Sequence, residues 1–406
     1  MKMRRAQPSL ALLGICAFLC NSPGLALADD TIALGAAVSE TGRYALNGDY
    51  ARKGYDLAVR TINAKGGIEI GGKPYRLEIK YYDDESTPAR GAELAQRLIE
   101  EDGVEFLLGP YGSSLAKAML PIVEKHGVPM VEANGVAHEV FIKGYRNIFA
   151  VSAADDYFDA AFDIAAANAG QLGKEASAMI VALAVDEDPH SRDIRDGLLG
   201  DVEEHDMQVV IDDQLAPDVD DMSVTLAKVK LLKPDILVVS GHERGATTAV
   251  RQIETMRVEV PILILTHCDS ARLAETLPEA SEGAFCVTSW HPALEGTDEW
   301  FGSGADFAKL YRDDYGEEPP SQAAQSAAAV LAFADAFARA QSLERKRVRD
   351  ALAAMERDTF FGRVDFDHTG RNAAKFTVLT QIRDGKYVLV APKPMAKGEP
   401  VIPRRR

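Results

Sequence analysis

The sequence predicts an α/β protein built from parallel sheets with helices on both faces. Three observations carry that prediction. Short apolar runs alternate with amphipathic stretches from one end of the chain to the other, and strand–helix–strand alternation produces parallel sheets. The chain has 406 residues, too many for one simple core, which points to two lobes. No Gly/Ser-rich linker separates two halves, so the chain should cross between lobes in short, ordered segments.

The expected strands, in order, are 32–38, 76–82, 106–109, 128–132, 178–183, 208–211, 236–240, 262–265 and 284–288. Each is a short run rich in Val, Ile, Leu and Ala, as a strand buried on both faces requires. Helical stretches fall between them at 49–63, 89–101, 115–125, 192–205, 223–232 and 244–257. Their apolar residues recur at helical spacing, with Leu94, Leu98 and Ile99 on one face. Residues 301–356 are mainly helical and Ala-rich, and 327–340 suits a buried helix. Strands are expected again at 364–366, 375–382 and 387–391, the last two joined at Asp384-Gly385, a hairpin turn signal. Residues 395–406 read as a frayed basic tail.

The first 28 residues read as a secretory signal. Lys2, Arg4 and Arg5 start it, Leu10 to Leu19 is an apolar run too short to span a bilayer, and Ala26-Leu27-Ala28 is a small-x-small cleavage pattern. The expected location is therefore the periplasm. Lipoprotein anchoring at Cys20 is the rival reading, disfavoured by the bulk of Phe18 and Leu19 before it. The net charge is −17, and removal of the basic leader makes the remainder more acidic. Such a surface repels nucleic acid and anionic lipid, so neither is an expected partner. Two cysteines follow the leader, Cys268 and Cys286, and they either pair or remain two buried thiols.

An enzyme is not expected. No G-x-G-x-x-G follows the first strand, and Gly66-Gly67 and Gly71-Gly72 come after a helix, the wrong context for phosphate. Neither a G-x-S-x-G elbow nor an H-E-x-x-H motif occurs. No cofactor is implied. A zinc or nickel site using Cys268 lacks any close paired spacing such as H-x-H or C-x-x-C, so no metal is expected.

Particular residues carry a family resemblance. They are Gly35-Ala36-Ala37-Val38-Ser39-Glu40-Thr41-Gly42, Gly48, Ile62-Asn63-Ala64-Lys65-Gly66-Gly67-Ile68, Tyr82-Asp83-Asp84 and Pro88. Further along come Leu108-Gly109-Pro110-Tyr111-Gly112-Ser113-Ser114, Gly127-Val128-Pro129, and Phe361-Gly362-Arg363-Val364-Asp365-Phe366-Asp367 with Gly370. In this order and spacing they resemble the type I periplasmic solute-binding proteins of ABC importers, in the branched-chain amino acid (Leu/Ile/Val-binding) group. The resemblance implies two doubly wound parallel-sheet lobes joined by a three-crossover hinge. Crossovers are expected near 150–153, 287–291 and 359–364. Lobe I would comprise 29–152 plus 291–358, and lobe II 153–290 plus 359–394. Ligand would sit between the lobes at the C-terminal ends of strands, and closure would trap it. An importer permease would recognise the closed form, and delivery to it favours a monomer.

Ser113 and Ser114 are the first candidates for ligand contact. They lie between a strand and a helix, where hydroxyls and backbone N–H groups suit a carboxylate. In the resembling family the serine matching Ser113 holds one; Ser there is also an ordinary helix N-cap. The loop of Asn134, Gly135 and Val136 is next, where relatives use backbone and a Thr hydroxyl. Val136 replaces that Thr, so only backbone contacts are expected. In lobe II the family places tyrosines and a glutamate that pairs with the ligand's ammonium. Here the matching loops carry Asp186, Asp188, His190, His242, His267 and Asp269, with His291 at the second crossover. Asp269, or else Asp186 or Asp188, is the expected substitute for the glutamate. Tyr44, Tyr111, Tyr157 and Trp290 supply aromatic walls, with hinge packing as the other reading of Trp290.

The expected function is that of an extracytoplasmic solute-binding component of an ABC importer, delivering a small amino acid-like or carboxylate ligand. The changed lobe II loops argue for aromatic or other organic acids as an alternative. A ligand-sensing module of a receptor system is a further alternative.

Overall fold

The computed structural model describes residues 30–153, 157–216 and 219–404. The expected leader, with Cys20, lies outside the described residues. Two sheets organise the molecule. The first contains β1 (Asp30–Val38), β2 (Ile68–Ile70), β3 (Lys73–Asp83), β4 (Phe106–Leu108), β5 (Met130–Glu132) and β6 (Ile148–Ala150), in the order β2-β3-β1-β4-β5-β6. All neighbours are parallel except the β2–β3 pair. Intervening helices are α1 (Ala45–Ala64), α2 (Pro88–Glu100), α3 (Ser113–His126) and α4 (His138–Phe141). The three-residue β2 escaped the sequence reading because Ile68-Glu69-Ile70 is too short to show a period.

After α5 (Asp159–Ala167) the second sheet collects β7 (Ile180–Asp186), β8 (Gln208–Leu215), β9 (Ile236–Ser240), β10 (Ile262–Thr266) and β11 (Phe285–Thr288). Helices α6 (Pro189–Glu204), α7 (Ser223–Leu232), α8 (Glu243–Thr255), α9 (Leu273–Thr276) and α10 (Pro278–Ser281) connect them. Beyond lie the short strands β12 (Thr297–Asp298) and β13 (Gly302–Ser303) and the helices α11 (Gly304–Tyr315), α12 (Ser321–Ala340) and α13 (Arg345–Ala353). The strands β14 (Glu356–Thr359), β15 (Gly362–Asp365), β16 (Val378–Arg383) and β17 (Lys386–Ala391) complete the set. The second sheet runs β17-β16-β11-β10-β9-β7-β8, with β16 antiparallel to both its neighbours and every other pair parallel.

Burial follows the two-residue strand period on both faces. On β1, Ile32, Leu34, Ala36 and Val38 enter one core while Ala37 enters the other. On β9 and β10, Leu237, Val239, Leu263 and Leu265 face one layer, and Ile236, Val238, Ile262 and Ile264 the opposite one. Each sheet is therefore sandwiched, which is why its strands read as continuous apolar runs. Helix α12 is buried from Ser321 to Phe337, and its backbone approaches Gly54 of α1 so closely that a Cβ there would lie 2.1 Å from the Ala323 carbonyl.

Two expectations need correction. The chain does not join the second sheet at 359–364. Phe360, Phe361, Val364 and Phe366 pack in the core of the first lobe, and Arg371 still bridges Ala150; the crossing comes between Asn372 and Val378. Nor is the tail frayed. Gln381 exchanges hydrogen bonds with the backbone of Val401, Ile402 is buried in the second lobe, and the Arg404 N–H donates to the Pro261 carbonyl. A tail rich in Pro and Arg gives no periodic signal for this docking. Cys268 and Cys286 form a disulfide between the loop after β10 and β11.

Candidate ligand cleft between the lobes

The first lobe reverses strand order between β1 and β4, and the second between β7 and β9. Loops at such switch points splay apart and leave a crevice at the C-terminal strand ends. Here the two crevices face one another. Tyr44 and residues 111–114 come from the first, and Asp188, His190 and His242 from the second. His267 follows β10. Ser152, Ala153, Tyr157 and Ser289 on the crossovers, with Ser321, Gln322 and Gln325 of α12, complete the cavity wall.

On the first lobe, Gly112 has φ 98°, a left-handed turn that aims the start of α3 at the cavity. Among the described residues, no acceptor meets the N–H groups of Ser113 and Ser114. Ser113 Oγ accepts the Ala137 N–H at 3.0 Å, which leaves its own O–H to donate. Beside it, Asn134 Oδ1 accepts from Gln325 Nε2 at 2.9 Å, and Gln325 Oε1 accepts from Ser289 Oγ at 2.6 Å. Gly135 does not line the cavity: its N–H donates to Glu132 Oε2, and a Cβ would lie 2.7 Å from Ala116. Burial pushes the Glu132 carboxyl well above the usual range, and the side chain buttresses this loop from beneath.

The second lobe presents titratable groups. Asp188 caps α6, accepting from the His190 and Ser191 N–H groups and from Ser191 Oγ, and His242 Nε2 lies 3.4 Å from its Oδ2. Burial alone would raise the Asp188 carboxyl, but the facing His242 and the Ser191 hydroxyl hold it well below the usual range. Burial likewise opposes charge on His242, and Asp188 outweighs it, raising the ring above the ordinary histidine value. Burial lowers His190; burial and the His242 charge hold His267 well below the ordinary range. Tyr111 reaches across from the first lobe, its Oη 2.9 Å from His242 Nδ1 and 3.2 Å from His267 Nε2. With His242 protonated and His267 neutral, Nδ1 of His242 donates to Tyr111 and Tyr111 donates to His267. Tyr44 packs edge-on against Tyr111 and His242, and Tyr157 against His190.

The lobes touch elsewhere too. Tyr50 Oη donates to the Ser270 carbonyl, Asn47 Nδ2 to Glu243, and the Ser321 N–H to Asp269 Oδ2. This is a closed arrangement.

Of the residues anticipated from sequence, the cavity gathers Tyr44, Tyr111, Ser113, Ser114, Asn134, Val136, Tyr157, Asp188, His190, His242 and His267. It leaves out Gly135, Asp186, Asp269 and Trp290. Asp186 is 4% exposed and lies behind Gly241. Asp269 ties Ser321 and Thr288 together and borders a different cavity, with Arg272, Tyr387 and His291. Trp290 is hinge packing: its Nε1–H donates to the Phe360 carbonyl and its ring stands on Phe307. The α12 contribution of Ser321, Gln322 and Gln325 was missed. The only signal was polar residues opening an otherwise apolar, Ala-rich helix.

Asp186, Asp188 and His242 offer ligand atoms within 4.8 Å of one another, close enough for a cation. Asp188 is, however, already held by three cap hydrogen bonds with His242 beside it, and the disulfide removes Cys268 as a thiolate.

The periplasmic binding protein family model matches residues 31–386. The chain belongs to that family. It is 24% identical over 414 residues to the Leu/Ile/Val-binding protein homolog 7 of Brucella suis biovar 1 (strain 1330), covering 97% of this chain and 99% of the relative. Its fold is similar to that of the branched-chain amino acid substrate-binding protein of Streptococcus pneumoniae solved in complex with isoleucine. The TM-score is 0.75, at 23% identity, covering 92% of this chain and all of the other. It is also similar to a solute-binding protein from R. palustris solved in complex with benzoate, with TM-score 0.73, 21% identity and coverage of 89% and 95%. Members of this periplasmic binding protein family bind small molecules for ABC transporters and are not enzymes, which implies an extracytoplasmic location. No helix among the described residues is long and apolar enough to cross a membrane.

Proposed function

We propose that this protein is the solute-binding component of an ABC importer, working in the periplasm after removal of residues 1–28. It traps a small solute between its lobes by the solute's carboxylate and delivers it to the permease. The observation that carries this reading is the start of α3. Two N–H groups and two serine hydroxyls meet the cavity at one helix N-terminus, a site made for an anion. Relatives with this fold carry isoleucine or benzoate, both of which bear a carboxylate. Asn134, Gln322 and Gln325 would orient the remainder of the solute, and Tyr44, Tyr111 and Tyr157 would wall it. Calorimetric titration of refolded, ligand-stripped protein with amino acids and with aromatic and aliphatic acids tests the reading. Binding of carboxylates, lost in Ser113→Ala, supports it; equal binding of the corresponding amides refutes it.

A further inference from the structure

Asp188 is the only carboxylate, among the described residues, that lines the cleft. An ionised carboxylate has about four acceptor positions. Three are taken by hydrogen bonds: Oδ1 receives the N–H groups of His190 and Ser191, and Oδ2 receives Ser191 Oγ at 2.7 Å. These three donors belong to the helix cap and fix the carboxylate in place. The remaining side of Oδ2 is covered by His242 Nε2, an ion-pair contact at 3.4 Å without hydrogen-bond geometry. His242 comes from a different strand end and itself lines the cavity.

Neighbouring acids are committed as well. Asp186 sits behind Gly241, Asp269 holds Ser321 and Thr288, Glu243 accepts from Asn47, and Glu132 is buried beneath the Asn134 loop. A ligand ammonium placed between these lobes therefore meets no open anionic acceptor among the described residues. Burying a charge without a partner is costly, whereas a carboxylate at α3 needs nothing from the second lobe.

We propose that His242 is the specificity-determining residue of this cleft. By covering the open side of Asp188 Oδ2 with its own ring it blocks the partner that an α-ammonium requires, and so restricts the cleft to carboxylates without an α-amino group. This rests on the reading that the ligand carboxylate docks at Ser113 and Ser114.

Paired probes test it by isothermal titration calorimetry on the ligand-stripped mature chain. They are leucine against 4-methylpentanoate, and phenylalanine against 3-phenylpropanoate, with 3-phenylpropanamide as the carboxylate control. The acid of at least one pair should bind about tenfold or more tighter than its amino acid. In His242→Ala, Asp188 regains an open acceptor and that gap should shrink by about tenfold. His242→Gln, which keeps a neutral donor, should fall between and serves if the alanine variant does not fold. Amino acids binding as tightly as their acids in the wild type would overturn the proposal, as would an unchanged gap in both variants. The amide binding as well as its acid would instead overturn the docking of a carboxylate at α3. No binding by any of the five compounds would overturn both.

Discussion

The two walls of the cleft differ in chemistry. The first lobe offers neutral donors fixed by the backbone: a helix start, two serines and an amide network running from Asn134 through Gln325 to Ser289. The second offers a chain of ionisable side chains, Asp188 to His242 to Tyr111 to His267, of which only Tyr111 comes from the opposite wall. A wall of backbone donors has the same charge at every accessible pH and suits a group common to many ligands. A wall of imidazoles changes charge near neutrality, and its polarity depends on which ring holds the proton. In the function proposed above, the anchor and the selector lie on opposite lobes.

The largest expected effect separates the lobes by stability. The Cys268–Cys286 disulfide closes a loop of sequence separation 18 and staples only the second lobe. Replacing both cysteines by serine should destabilise that lobe by about 3 kcal/mol. Trp290 and Trp300, the only tryptophans, both pack in the first lobe. Urea denaturation followed by circular dichroism should therefore acquire an early transition that tryptophan fluorescence does not see. Coincident curves would mean that the lobes unfold as one unit.

Next in size is the anchor itself. Ser113→Ala removes a donor to a charged group and leaves the Ala137 N–H without its acceptor. A loss of about 10- to 100-fold in carboxylate affinity is expected, measured by calorimetry. A loss below threefold would shift the anchoring role to the second wall.

The charge of the second wall should be visible as pH dependence. The His242 value is raised in the folded protein, so its stabilisation is fully present below the ordinary histidine value, about 6.5, and is lost as pH rises through the raised value. Asp188 is depressed, so its share is present above the ordinary aspartate value, about 3.9, and is lost as pH falls towards the depressed one. His190 and His267 are lowered and act oppositely to His242: each disfavours the folded state increasingly as pH drops below the ordinary histidine value. The unfolding free-energy difference between wild type and His242→Gln should accordingly be largest near pH 5 to 6 and shrink on the alkaline side. A difference independent of pH would show an uncharged ring.

The smallest effect should come from the bridge between the walls. Tyr111→Phe keeps the ring contacts with Tyr44 and removes both hydroxyl links to the histidines. Affinity should fall by only about three- to tenfold, the worth of one or two hydrogen bonds, with folding unchanged. Small-angle scattering without added ligand should show the more open form gaining population. No change in either quantity would mean that Tyr50 and Asn47 suffice to hold the lobes together.

Much of this was legible in the chain itself. Strands such as 236–240 and helices such as 223–232 emerged at their true positions, because each buries both faces or one stripe and the pattern of apolar residues records that directly. Ser113 and Ser114 were visible because a strand, a glycine turn and a helix follow one another within a dozen residues, so local structure alone places them. The acidic partner was not. Asp186, Asp188 and Asp269 look alike as sequence, each lying on a loop after a strand. Only the tertiary structure puts Asp188 on the cavity wall, Asp186 behind Gly241 and Asp269 against α12. The α12 wall and the docked tail depend likewise on segments far apart in the chain. Local pattern fixes where backbone groups fall along an element; which carboxylate is open, and to what, is decided by contacts such as His242 to Asp188 that span more than 50 residues and leave no periodic trace.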